Sequence, residues 1–170
     1  MMFSKMMTQE QVRQMFDYNS KTGKLRWRVG RRKGRVAGST KNKYGYVMLI
    51  LGKHPKKGYY GHRLAWLWVH GEWPSEIDHV NGQRSDNRLT NLRLATRSQN
   101  MANAQLGRKA GKGGLKGIHF EKRNPHNPWI AKIQKDRRQY HLGCYATPEL
   151  AHAAYYEAAK SMYGEFARRT

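Results

Sequence analysis

Apolar and polar residues alternate with two different periods in the N-terminal half of the chain, which indicates short helices and short strands. Thr8 and Gln11 have the spacing of a capping box, so a helix is predicted from there to about Phe16. Residues 24–29 alternate between polar and apolar side chains, and residues 44–51 are rich in aromatic and aliphatic side chains. Together these two segments predict a small antiparallel sheet that is half-buried and basic on its open face.

The next elements are a helix and a strand-turn-strand-helix unit. Residues 62–70 carry apolar side chains at helical spacing and stop at Gly71. Residues 77–79 and 92–95 look like two short strands around an Asn81-Gly82 turn, and a second capping box at residues 96–99 opens a helix. The sequence therefore predicts a ββα unit over about residues 75–103.

The last third of the chain predicts a second module. Residues 104–116 contain four glycines, four basic residues and no acid, which is typical of a flexible linker. Three segments with strand-like alternation follow, at residues 117–121, 129–134 and 139–142, and then an alanine-rich helix from about Pro148 to Tyr163. We expect an α+β protein with an N-terminal region at 1–103, a linker at 104–116 and a second domain at 117–170.

Alternation in the second module sorts its strand residues onto two faces of one sheet. One face would be apolar and lie against the helix. The other would be basic and rich in amides, which suits contacts to phosphates and base edges in a DNA groove, and it carries Lys116, His119, Lys132, Gln134, Gln139 and His141.

Composition points to a polyanionic partner. The chain has 33 Lys and Arg against 11 Asp and Glu, a formal charge of +22, and no acid at all in residues 18–71 or 87–120. The longest apolar run, residues 65–69, is far too short to span a membrane, and the N-terminus lacks the apolar core of a secretory signal. Cys144 is the only cysteine, so neither an internal disulfide nor a cysteine-based zinc site is expected, and we predict an intracellular protein.

A short acidic island interrupts the basic chain and contains Glu72, Glu76, Asp78 and Asp86. It is either ordinary surface charge or the place of a metal ion. In the predicted ββα unit, Asp78 and His79 end the first strand, and Asn100 lies in the first turn of the helix. Phosphodiester hydrolysis needs a base and a divalent metal, which His79 and an oxygen pair from Asp78 and Asn100 would supply.

The spacing of these residues resembles the HNH homing endonucleases of phages and other mobile elements, over roughly residues 44–103. Asn91 follows His79 by twelve residues, Asn100 follows Asn91 by nine, and Leu92 and Arg93 also fit. The resemblance implies an H-N-N subtype in which His79 is the general base, Asp78 and Asn100 bind Mg²⁺, Mn²⁺ or another divalent cation, and Asn91 orients the His79 region. No structural zinc is expected, and His62 is expected to be a structural histidine.

Residues 114–167 resemble the AP2 DNA-binding domain, on the segments 117–118, 129–133, 142–145, 151–155 and 163–167. The resemblance implies a three-stranded antiparallel sheet backed by one helix and docked in the major groove. Its groove contacts would fall on the polar face listed above. Several positions that the AP2 family fills with Arg carry His or Gln here, so that family's base preference does not transfer.

Together these features predict a metal-dependent endonuclease that hydrolyses phosphodiester bonds in double-stranded DNA. We expect a site-directed homing endonuclease, nicking or cutting both strands, with a monomer favoured and the cytoplasm of a bacterial host as its location if a phage encodes it. The alternative is a non-catalytic DNA-binding regulator with an inactive HNH scaffold. An RNA-binding protein is disfavoured because the open sheet face lacks stacking aromatics.

Overall fold

The computed structural model describes residues 7–38, 40–52, 57–106 and 112–168. The chain divides into two compact units, Met1–Ala95 and Thr96–Thr170. The elements of the first unit are helices α1 (Gln9–Met15) and α2 (Gly61–His70) and strands β1 (Phe16–Asn19), β2 (Lys24–Trp27), β3 (Thr40–Lys41), β4 (Val47–Leu51), β5 (Lys57–Tyr60), β6 (Ile77–His79) and β7 (Leu92–Leu94). Those of the second are helices α3 (Arg97–Asn103) and α4 (Pro148–Tyr163) and strands β8 (Ile118–Phe120), β9 (Trp129–Lys135) and β10 (Arg138–Tyr145).

The first unit has a core between α1, α2, the β1–β2 hairpin and the sheet of β3, β4 and β5. The capping box predicted at Thr8 is present. The backbone N–H of Gln11 donates to the Thr8 hydroxyl, and the side-chain Oε1 of Gln11 accepts from the backbone N–H of Thr8. Helix α2 ends at Gly71, whose φ of 79° closes the last turn. The buried core consists of Val12, Phe16, Leu25, Ala37, Leu49, Leu51, Leu64 and Leu67.

The predicted single sheet is wrong, because the two strand segments pair with other partners. Strand β2 forms an antiparallel hairpin with β1, and β4 lies between β3 and β5 in a separate antiparallel sheet. The turn after Asn19 folds β2 directly back onto β1, with the Gly23 N–H donating to the Asn19 carbonyl over 2.8 Å. The local hairpin thus takes the hydrogen bonds that the predicted pairing would have needed.

Strands β6 and β7 form the hairpin predicted for the ββα unit. They are antiparallel, with Asp78 opposite Arg93 and His79 opposite Leu92. The Gly82 N–H donates to the His79 carbonyl over 2.7 Å, so the chain turns immediately after β6. The second predicted capping box, between Thr96 and Gln99, also forms at the start of α3.

The second unit has an antiparallel sheet in the order β10-β9-β8, with α4 packed against all three strands. Helix α4 spans the predicted residues, with Pro148 in its first turn and Thr147 as its cap. Helix α3 contacts α4, and both helices belong to the second compact unit. The predicted division into residues 1–103, a linker at 104–116 and a domain at 117–170 stays a prediction. Residues 107–111 of the predicted linker lie outside the described residues.

Candidate active site

Strand β6 ends in two buried ionisable residues, Asp78 and His79, which are 6% and 4% exposed. As neighbours on one strand they project to opposite sides of the β6–β7 hairpin. Burial of two such groups in so small a unit is costly unless each is hydrogen-bonded. The hydrogen-bond partners of Asp78 and His79 therefore indicate the role of each side chain.

Arg93, directly opposite on β7, binds the Asp78 carboxylate. Its Nε and Nη2 lie 2.9 and 2.8 Å from the same carboxylate oxygen, Oδ2. Both side chains are largely shielded from water, so the charge-assisted bonds are strong and fix the orientation of the carboxylate. Asp78 is thus a positioned carboxylate, and not part of the ordinary surface charge.

The His79 imidazole has a specific hydrogen-bond partner in Asn87. The Nε2 of His79 lies 3.2 Å from the Oδ1 of Asn87. An amide oxygen only accepts, so Nε2 carries the hydrogen and the neutral ring has its lone pair on Nδ1. Burial lowers the pKa of His79, against the opposing effects of the Asn87 bond and of the Asp78 and Asp86 carboxylates. The ring is therefore neutral at pH 7 and able to accept a proton.

Contacts with Tyr18 and Gly61 hold Asn87 beside His79. The Tyr18 hydroxyl donates to the Asn87 carbonyl over 2.7 Å. A Cβ on Gly61, the first residue of α2, would lie 2.9 Å from the Asn87 Nδ2. Glycine at position 61 is what allows the Asn87 amide to pack this closely against the helix.

Asn91 ties together the loop that follows His79. Its Oδ1 accepts from the Asn81 N–H over 2.9 Å, and its Nδ2 donates to the Asp86 carbonyl over 2.8 Å. Its own carbonyl accepts from the Val80 N–H over 2.9 Å. One buried side chain thereby sets the path of the loop on both sides of its turn.

Asp86, a second member of the acidic island, is occupied inside the same loop. Its carboxylate accepts from Arg88 Nη2 over 2.6 Å and from Asn81 Nδ2 over 2.8 Å. The bonds from Arg88 are the largest cause that lowers the pKa of Asp86 to about 2. These contacts give Asp86 a structural role in the loop.

His62 lies beside His79 in a group of aromatic rings. The two imidazole centroids are 5.0 Å apart, and Tyr46 and Tyr60 lie 5.3 and 5.4 Å from His62. Among the described residues the buried Nδ1 of His62 has no hydrogen-bond partner. Burial foremost, and then the neighbouring His79 and Arg63, lowers the pKa of His62 to about 3. His62 is thus a neutral packing residue around pH 7.

Asn100 lies in α3 and is assigned with the second unit, so its predicted convergence with Asp78 and His79 stays a prediction. In the described parts of the chain, no group of three or more His, Cys, Asp or Glu side chains is arranged to hold a metal ion. A hard cation such as Mg²⁺ needs only one or two protein oxygens, because water and phosphate complete its shell. The positioned carboxylate of Asp78 is an oxygen ligand of the kind that such an ion binds.

The predicted DNA-binding residues of the second unit mostly share one face of its sheet. Cross-strand pairs join Lys132 to His141 and Gln134 to Gln139, and His119 pairs with Ile130 on the same side. The opposite face includes Ala131 and Ile133, which are 0% and 3% exposed. Leu142 lies at a bulge between His141 and Gly143, where the strand register shifts.

Lys116 differs from the other members of that set. It precedes β8, and its Nζ donates to the carbonyls of Met101 and Ala104 over 2.9 Å each and to that of Ala102 over 2.5 Å. Burial, and then Arg168, lowers the pKa of Lys116 to about 8. This placement caps the C-terminus of α3 and favours a structural role over a DNA contact.

The sequence reasoning missed Asn87 and Arg93 as partners of His79 and Asp78. Arg93 was visible as the residue opposite Asp78 in the predicted hairpin, but its role required the register. Asn87 gave no periodic signal because it lies in an irregular segment between two turns. Arg84 is a further neighbour of this region, since its guanidinium lies 5.1 Å from the centre of the Tyr46 ring.

Comparison with known proteins identifies part of the chain. Residues 59–102 match the family model described as HNH endonuclease. The chain is 28% identical to protein 3.8 of Escherichia phage T7 over 109 residues, which are 63% of this chain and 87% of that protein. No solved structure matches the chain. No helix of the described residues is long and apolar enough to cross a membrane. The region similar to the HNH endonuclease family, residues 59–102, includes Asp78, His79, Asn87 and Asn91.

Proposed function

We propose that this protein is a metal-dependent endonuclease that hydrolyses phosphodiester bonds in double-stranded DNA. The observation that carries the proposal is His79, a buried neutral imidazole hydrogen-bonded by Asn87 and adjacent to the fixed carboxylate of Asp78. A base and an oxygen ligand at the end of one strand are the two groups that this hydrolysis requires. The match to the HNH endonuclease family over residues 59–102 supports the same activity.

In the proposed mechanism His79 is the general base. Its Nδ1 accepts a proton from a water molecule, and the resulting hydroxide attacks the scissile phosphorus opposite the leaving oxygen. The bond between phosphorus and the leaving oxygen then breaks, the leaving oxygen takes a proton from solvent water, and the imidazolium of His79 releases its proton to solvent. A base placed in this way contributes about 10²–10⁴ to the rate.

Asp78 and, by the HNH resemblance, Asn100 would hold the Mg²⁺ or Mn²⁺ ion. When bound, the ion supplies positive charge to the scissile phosphate and to the leaving oxygen. Arg93 keeps the Asp78 carboxylate in a single orientation through its two bonds to Oδ2. Asn91 acts as a positioning residue, because it fixes the loop that leads away from His79.

We further propose that the second unit directs cleavage to a DNA site as an AP2-like domain. Five of the predicted residues share the sheet face opposite α4, and all but the half-buried Lys132 are exposed: His119, Lys132, Gln134, Gln139 and His141. Amides and imidazoles hydrogen-bond base edges, and Lys binds phosphate. Such a unit would suit a homing endonuclease of a phage or mobile element, and a single metal site would cut one strand per encounter.

A plasmid assay tests the activity directly. Purified full-length protein with Mg²⁺ should convert supercoiled plasmid to nicked and then linear DNA, EDTA should stop the reaction, and His79→Ala should be inactive in the same preparation. Cleavage that persists in EDTA or in His79→Ala contradicts the mechanism. Tight DNA binding without any cleavage supports the alternative, a DNA-binding regulator with an inactive HNH scaffold.

A further inference from the structure

A strongly basic loop projects from the first unit, outside the proposed active site. It follows β2 and consists of residues 28–36, which we call the arginine loop. Five of its residues are basic, and all five are exposed: Arg28, Arg31, Arg32, Lys33 and Arg35. The loop lies within the acid-free stretch of residues 18–71, so its charge is not balanced by acids near it in the sequence.

The backbone of the arginine loop is fixed against β2. The Gly34 N–H donates to the Trp27 carbonyl over 2.7 Å, and the Trp27 N–H donates to the Arg35 carbonyl over 3.0 Å. Arg26 adds a side-chain bond from Nη1 to the Gly34 carbonyl over 2.8 Å. Hydrogen bonds at both ends reduce the conformational freedom that the loop would lose on binding a ligand.

Four of the five cations of this loop lack an acidic partner among the residues that the structure describes. Arg28 lies 3.9 Å from the Asp17 carboxylate, and both side chains are more than half exposed. Within residues 7–38, 40–52, 57–106 and 112–168, no carboxylate lies within salt-bridge distance of Arg31, Arg32, Lys33 or Arg35. Arg32 instead lies over the Trp27 ring at 5.9 Å. A rigid loop that concentrates unpaired like charges is destabilising by itself, and a polyanionic ligand would relieve the repulsion.

We infer that the arginine loop is a second DNA-binding surface, which grips the phosphate backbone of duplex DNA without reading its sequence. Duplex DNA carries one negative charge per about 1.7 Å of its axis, so closely spaced side chains of one loop can each meet a phosphate. Guanidinium groups bind phosphate oxygens through two parallel hydrogen bonds. The inference rests on the proposed function in that duplex DNA is the assumed ligand, and it assigns the loop a role separate from cleavage and from site recognition.

The inference is tested by comparing two double variants of the full-length protein. Arg31→Ala/Arg32→Ala removes two charges from the loop, and Lys21→Ala/Lys24→Ala removes two from the opposite end of the β1–β2 hairpin, where Asn19 pairs with Lys24. Binding to two short duplexes of unrelated sequence is measured by fluorescence anisotropy in EDTA over a range of salt concentrations. Circular dichroism and thermal unfolding check that each variant is folded.

We expect the loop variant to lose affinity by the same factor on both duplexes. Its plot of log Kobs against log salt concentration should become shallower by about 2, since each lost phosphate contact removes about 0.9 from the slope. The Lys21→Ala/Lys24→Ala variant should keep the slope of the wild-type protein. Equal effects of the two double variants, a loss confined to one duplex, or wild-type binding by the loop variant each overturn the inference.

The outcome for the loop is separable from that for the nuclease activity. Wild-type protein that binds both duplexes through the loop but never cuts plasmid DNA contradicts the proposed function and leaves the loop assignment standing. If the wild-type protein cuts DNA and the loop variant binds and cuts like wild type, the proposed function stands and the assignment of the loop is wrong. If the loop variant loses affinity for duplex RNA but not for duplex DNA, the assignment to DNA is wrong.

Discussion

The Nε2 of His79 lies 3.2 Å from the Oδ1 of Asn87, and this bond determines which nitrogen of a buried imidazole carries the hydrogen. Asn87 is itself 4% exposed and is held by the Tyr18 hydroxyl at its carbonyl. The same arrangement of a partner that orients a functional histidine recurs in catalytic and metal sites generally. Asn87 is therefore expected to affect the chemistry of His79, and not merely the stability of the loop.

Replacing Asn87 should slow cleavage more than it weakens DNA binding. Asn87→Ala should lower kcat by about 10- to 100-fold, the usual loss when a functional histidine loses its orienting partner. Asn87→Asp keeps an acceptor and adds a negative charge, which raises the pKa of His79. A base works when deprotonated, so the acidic limb of the kcat profile should move to higher pH.

The control for Asn87 is Gln83→Ala, which removes an exposed amide from the same loop. It should leave both kcat and the pH profile unchanged. If Asn87→Asp shows the wild-type pH profile, the bond to His79 has no catalytic role.

His79→Ala should abolish cleavage and leave duplex binding within about twofold of wild type, because the buried ring contributes little to the contact surface. Plasmid nicking and fluorescence anisotropy on one preparation measure the two effects. Residual cleavage within about threefold of wild type means that another group is the base.

Loss of an oxygen ligand should appear as a changed metal requirement. Asp78→Asn and Asn100→Ala should each raise the Mg²⁺ concentration needed for half-maximal cleavage, with partial recovery in Mn²⁺. In Asp78→Asn the new amide oxygen keeps a hydrogen-bond acceptor for Arg93. Glu72→Ala, an exposed acid of the same island, should have no effect on the titration with Mg²⁺.

The stability of the first unit should fall in mild acid because of His62. Its pKa of about 3 in the fold lies below the ordinary value, so the unfolded chain takes up a proton that the folded chain does not. Stability is therefore full above about pH 6.5 and falls as the pH drops towards 3, by about 2 kcal/mol at pH 5.

Urea unfolding at pH 7 and pH 5, followed by tryptophan fluorescence, measures this loss. Four of the five tryptophans, at positions 27, 66, 68 and 73, belong to the first unit. His62→Phe should reduce the difference between the two pH values, whereas His126→Phe, at an exposed histidine of the second unit, should not. An unchanged difference in His62→Phe assigns the acid sensitivity to other groups.

Sequence reasoning predicted the elements well where the signal is local. The two capping boxes, the end of α2 at Gly71 and the span of α4 each depend on residues within a few positions of one another, and the structure confirms them. Strand pairing was predicted less well, because the sequence analysis placed no strand at β1, and β1 is the nearby segment with which β2 forms a hairpin. A pattern within one segment does not show which other segment it will pair with.

The candidate site shows the same limit. The spacing of Asp78, His79 and Asn91 could be recognised in the sequence, but their partners could not. Arg93 reaches Asp78 only because of the strand register. Asn87 lies in an irregular loop that packs against Gly61. Lys116 satisfied the alternation that defined the DNA-binding face, yet its amine lies among the carbonyls at the end of α3. A period-two pattern cannot report that a residue lies just outside its strand.

If the second unit selects the DNA site, replacing Gln134 and Gln139 should change sequence specificity, while the net charge of the protein stays the same. These cross-strand neighbours are exposed on the sheet face opposite α4. Gln134→Ala/Gln139→Ala should weaken binding to the cognate site, since each good base contact is worth about 1–3 kcal/mol, and should leave binding to unrelated duplexes unchanged. The slope of affinity against salt should also stay constant, because no phosphate-binding cation is lost. The measurement is selection of the preferred site from random duplexes, followed by anisotropy at several salt concentrations, with Gln14→Ala on α1 as the control. If the double variant selects the same sequence with wild-type affinity, this sheet face does not read the DNA, and specificity must come from the first unit.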